Sequence, residues 1–108
     1  REKPVIEKKD KEKEEKPKEK TEAEKREDTY AEIEEQMGKG ETGKALRIFE
    51  AQEGTPESPE DLLLYGLLLL ANGDYEKAYE VMVKAAEAAP EYAEILYNLS
   101  LIEGARGN

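Results

Sequence analysis

Two stretches of the chain, GKGETGKALRIFEA and ANGDYEKAYEVMVK, superimpose at an offset of 33 residues. Gly40, Glu41, Lys44, Ala45, Ile48 and Phe49 fall on Gly73, Asp74, Lys77, Ala78, Val81 and Met82. Gly73 and Asp74 recur as Gly107 and Asn108, and Leu62 as Leu96, at an offset of 34. A period near 34 residues restricts the fold more than any other feature. A unit of that length holds two helices, cannot bury its apolar face alone, and stacks on copies of itself.

The local pattern agrees. Tyr30, Ile33 and Met37 recur at helical spacing, and Gly38 and Gly40 end that helix. A second amphipathic stretch carries Ala45, Leu46, Ile48, Phe49 and Gln52, to about Glu53. GTPESPED is a loop that leads into a helix: Ser58 suits the N-cap, Pro59 the first turn, and Glu60 and Asp61 the positive helix end. Helices are expected over 59–72, 75–89 and 91–104, broken at NGD and APE. No stretch alternates as a strand does, so an all-α chain of about five helices is expected.

The best-formed unit, Pro59 to Tyr92, carries Leu62, Tyr65, Gly66 and Leu69, then Gly73-Asp74-Tyr75, then Ala78, Met82, Ala85 and Pro90. It resembles the tetratricopeptide repeat, whose pattern reads W-x-x-L-G-x-x-Y, A-x-x-x-F and P. Leu62, Tyr65, Leu69 and Met82 are conservative departures from that pattern. The resemblance covers roughly residues 26–108, in units of about 26–58 and 59–92 and a partial unit of 93–108. The first unit is degenerate, with Ile33 where glycine is usual and no closing proline at the usual place. The resemblance implies a short right-handed helical-hairpin solenoid. Independently of it, Gly66 and Ala78 are small where two antiparallel helices must approach closely. The run LLLYGLLLL is apolar all round, as an inner helix touched from several sides requires.

Residues 1–28 form a Lys/Glu tract with 11 basic and 11 acidic residues, in which only Val5, Ile6 and Ala23 could bury apolar area. This tract is expected to be a disordered arm or linker ahead of a domain at 29–108, with transient helix after Pro17. The remaining 6 basic and 16 acidic residues give the domain the whole net charge of −10. So acidic a domain repels phosphate backbones, which argues against a nucleic-acid partner. The ten-residue apolar run Leu62 to Ala71 spans only about 15 Å as a helix, so no membrane insertion is expected. The absence of Cys and His removes thiolate metal sites, cysteine nucleophiles and the commonest general base. No catalytic constellation stands out, and no enzyme activity, cofactor or metal site is expected. The chain begins at Arg1, which fits a processed product, a fragment or an artificial sequence.

GKGETGKA is one letter from a phosphate-binding loop, G-x-x-x-x-G-K-[ST]. It comes after an amphipathic helix rather than a buried strand, Ala45 replaces the Mg²⁺-holding hydroxyl, and Glu41 would set a negative charge among phosphates. Its alignment with ANGDYEKA makes it an inter-helix turn instead.

The resemblance implies a protein-interaction module with a groove lined by the first helix of each unit. Matching units place Tyr30, Glu34 and Met37, then Leu63, Leu67 and Leu70, then Tyr97 and Leu101 on that face, flanked by Glu60 and Glu94. Such a groove favours an apolar or basic helix. Asn98 fits one asparagine position of the carboxylate clamp found in some relatives, but Leu63 and Leu67 stand where Lys and Asn are needed, so no clamp is expected. The alternative is a structural spacer or a self-assembling, designed solenoid with no dedicated ligand, which the heavy Glu/Lys usage also fits. The last helix carries Ile95, Leu96, Tyr97, Leu99, Leu101 and Ile102, more than one face can hide. With Asn108 as the true end, self-association through that helix is expected.

Overall fold

The structure, a computed structural model, describes residues 19–52 and 54–107. Among these residues are five helices and no strand: α1 Glu22–Gly38, α2 Thr42–Glu50, α3 Pro59–Ala71, α4 Tyr75–Ala88 and α5 Ala93–Ala105. Helix α1 pairs with α2 and α3 with α4, while α5 packs on α4 and α3. The result is the expected stack of helical hairpins, α1–α2 and α3–α4, with α5 packed against the second.

The first helix starts earlier than the hydrophobic pattern suggests. Thr21 and Glu24 form a reciprocal capping box, in which Thr21 Oγ1 accepts from the Glu24 amide at 3.1 Å and Glu24 Oε1 from the Thr21 amide at 2.9 Å. This cap carries α1 back to Glu22, so residues 22–28 of the segment read as an arm are helical. The part of that reading that falls on residues 1–18 lies outside the described residues. Helix α2 also sits three residues earlier than expected at both ends.

The repeated turns have one geometry. Gly40, Gly73 and Gly107 adopt φ of +81°, +83° and +86°, a region open to glycine and costly for residues with a Cβ. In the first two, the paired bonds of a Schellman motif close the helix: Gly40 N–H to Met37 C=O with Glu41 N–H to Gln36 C=O, and Gly73 N–H to Leu70 C=O with Asp74 N–H to Leu69 C=O. GKGETGKA is therefore a helix end joined to a helix start. The two turns differ in how they cap the next helix. Asp74 caps α4 by accepting from the Lys77 amide, whereas Glu41, one methylene longer, makes no cap on α2.

The core has two clusters. Ile33, Ala45, Phe49 and Leu68 hold the first hairpin to α3. Leu62, Leu63, Leu69, Ala78, Val81, Met82, Ala85, Ala89, Ile95 and Ile102 hold the second hairpin to α5. Each large aliphatic side chain buried there contributes about 1.5–3 kcal/mol. Beyond the clusters, Asn72 at the end of α3 donates to the Thr42 carbonyl at 3.0 Å, tying one turn to the other. Arg106 lies 3.9 Å from the centre of the Tyr79 ring and 3.1 Å from Glu76, fastening the end of α5 to α4.

Candidate functional site

The residues assigned to a groove by spacing differ in what they offer a partner. Tyr97 is 65% exposed and Leu101 45%, one turn apart on α5. Leu67 and Leu70 of α3 are half-buried against the second cluster, and Tyr30 and Met37 of α1 are half-buried against the first. Glu34, Glu60 and Glu94 are exposed. Leu63 is a correction: it is only 7% exposed and belongs to the core with Ile95 and Ile102, because α5 closes over α3. Asn98 is also buried, its amide donating one hydrogen bond to the Glu94 carbonyl one turn back at 2.8 Å.

The last helix divides its six apolar residues. Ile95 and Ile102 are fully buried and Leu99 is half-buried, while Leu96, Tyr97 and Leu101 are exposed. Leu62 and Leu96 occupy the same repeat position, yet the first is 6% and the second 45% exposed. Helix α4 covers Leu62, and among the described residues no helix comes after α5.

A third place was not anticipated. Asp61, in the first turn of α3, is almost fully buried and holds two side chains of α1: it accepts from the Tyr30 hydroxyl and, at 2.7 Å, from Arg26. Burial alone would raise the Asp61 pKa, but the hydrogen bonds from Tyr30 and Arg26 outweigh it and hold the carboxyl below its ordinary value. Tyr30, by burial first and then by its bond to the carboxylate, is pushed up to about 12. Beside this cluster lies an open cavity of about 540 Å³, walled by α1, the end of α2, the loop between α2 and α3, α3 itself and Lys77 of α4. Phe49 and Tyr65 stack there with ring centres 4.9 Å apart and planes 16° apart. Asp61 reads in sequence as an acid favouring a helix end. Its partners lie 31 and 35 residues away, beyond the reach of periodicity.

Stacked hairpins with glycine turns at a fixed period define a helical-repeat solenoid. The family model of the tetratricopeptide repeat matches residues 59–102, covering α3, α4 and most of α5. This segment of the chain is a tetratricopeptide repeat. Repeats of this family mediate protein–protein interaction and are typically non-catalytic scaffolds. Comparison with curated proteins gives no match. Among the described residues no helix is long and apolar enough to cross a membrane.

Proposed function

We propose that the chain is a protein-interaction module whose inner face, drawn from α1, α3 and α5, receives an apolar, basic helix of a partner protein. The observation that carries this reading is the exposure of Tyr97 and Leu101 one turn apart on α5. Large apolar side chains left in water beside half-buried ones are the anchors an amphipathic helix uses. Tyr30, Met37, Leu67 and Leu70 extend that surface, and Glu34, Glu60 and Glu94 give it an acidic border. The net charge of −10 favours lysine and arginine on the partner. Leu63 serves the core beneath this face rather than the face itself.

The test is fluorescence anisotropy with a labelled Leu/Lys amphipathic peptide. Tyr97→Ala combined with Leu101→Ser is expected to weaken binding by about ten-fold or more. Unchanged binding by a double variant with a native circular dichroism spectrum would count against the inner face.

Leu96 favours a second reading, self-association through α5. It is exposed beside half-buried Leu99, roughly a third of a turn round α5 from the buried Ile95 and Ile102. On that reading the chain is a self-assembling solenoid, and a second copy covers this side.

A further inference from the structure

The cavity between the two hairpins arises from a specific departure from the repeat. At the 33-residue offset, α2 should run as far as α4 does, but it stops at Glu50, the counterpart of Val83, while α4 continues to Ala88. In the second hairpin Ala85 and Ala89 are buried and fill the space beside α5. Their counterparts, Gln52 and Pro56, instead line the cavity. The loop that carries them replaces more than a turn of helix and leaves about 540 Å³ open next to the Phe49–Tyr65 stack. That volume lies within the range of small-molecule and side-chain pockets.

The walls state what fits. Phe49, Tyr65 and Pro56 are flat or ring-bearing and apolar over most of their area. Among the described lining residues two cations, Arg26 and Lys77, stand against two anions, Asp61 and Glu50; Arg26 pairs with Asp61, and Lys77 lies 5.6 Å from the Tyr65 ring centre. These described residues therefore give the cavity no excess of either charge, which favours a neutral ligand. Glu50 accepts the Tyr65 hydroxyl through Oε2 at 3.0 Å, and its Oε1 makes no hydrogen bond among the described residues. That oxygen is open to solvent and stands as a hydrogen-bond acceptor at the rim of the cavity, beside the Tyr65 ring. We infer that this cavity binds a neutral planar aromatic group bearing one N–H or O–H donor, an indole or a phenol. The group is either a free small molecule or an aromatic side chain of a partner, with its donor on Glu50. The site is separate from the exposed α5 residues that carry the proposed docking face.

Indole titrated into the ¹⁵N-labelled chain at millimolar concentration tests this. The expected result is saturable shifts at the amides of Gln52, Gly54 and Thr55, with Tyr97 and Leu101 unmoved. Toluene, with a ring but no donor, should bind about ten-fold more weakly. Thr55 is exposed, so Thr55→Trp should fill the cavity from its rim and abolish the shifts. Glu50→Ala, at an exposed position, should weaken indole to the level of toluene and keeps the test intact if the first variant misfolds. A capped Gly-Trp-Gly peptide separates the sources: tighter binding than indole marks a partner's side chain, and equal or weaker binding marks a free ligand. No saturable shift with indole, tighter binding of benzoate or tryptamine, or indole binding unaffected by both variants would overturn the inference.

Discussion

Gly66 of α3 lies directly beneath Met82 of α4: a methyl group added at Gly66 would come within 2.5 Å of the Met82 Cε and 3.8 Å of the Ala78 carbonyl oxygen. The Met82 Cε is the mobile end of a flexible side chain and can turn aside from a single methyl, but Met82 and Ala78 are both fully buried, so a larger group at either crossing position displaces packed neighbours. Ala78→Leu and Gly66→Val are each expected to cost about 1–3 kcal/mol or more by overpacking, measured by urea unfolding. Gly43, in the first turn of α2, meets only ordinary contacts at 3.6 and 3.7 Å, and Gly43→Ala is expected to stabilise by about 0.4–1 kcal/mol. Equal tolerance at all three positions would mean that the helices do not cross as described.

The shared turn geometry makes its own prediction. Gly73→Ala and Gly40→Ala are each expected to cost about 1–2 kcal/mol, because a Cβ is strained at these positive φ values even though the space around both is open. Asparagine should cost less than alanine at either place. Glu41→Asp should supply α2 with the cap that Asp74 gives α4, raising stability by about 0.5 kcal/mol or more. Thermal or urea melts of these variants check the pattern.

The Asp61 cluster links stability to pH at both ends of the scale. Asp61 has a depressed pKa when folded, so its contribution is present above the ordinary carboxylate value and is lost as pH falls through the folded value. Asp61→Asn should cost about 1.5–3 kcal/mol near neutrality and flatten the acid limb of the stability profile. Tyr30 has a raised pKa, so its contribution is complete below the ordinary value of 10.0 and is lost as pH rises through about 12. Absorbance titration of the tyrosines should reveal one late group that disappears in Tyr30→Phe. A wild-type profile with every tyrosine titrating together would refute the bond.

Leu96 predicts the behaviour of α5 in solution. Static light scattering over a wide concentration range should detect association of this chain, and Leu96→Lys, at an exposed site, should abolish it without loss of melting temperature. A monomer at every concentration would remove the self-association reading.

The period, the glycine turns and the bounds of α3, α4 and α5 were legible in the sequence, the bounds to within two residues, because leucine spacing and caps are local signals. The start of α1 was also written locally, in Thr21-Glu22-Ala23-Glu24, but the surrounding charge tract concealed it. Leu63 was misassigned because helical register gives the face of a residue and not what later packs on that face. The Arg26–Asp61 contact and the cavity were not legible. The contact joins residues 35 apart on α1 and α3, and the cavity depends on how far α2 runs before it stops, which a balance between chain propensity and packing decides.

The inner face is tested most directly by mapping a bound helix on the ¹⁵N-labelled chain. With the Leu/Lys amphipathic peptide, amide shifts are expected to concentrate at Leu67, Leu70, Tyr97 and Leu101, weakening as salt screens Glu34, Glu60 and Glu94. Shifts confined instead to the outer surface of α4, around Glu80, Lys84 and Glu87, would contradict an inner docking face.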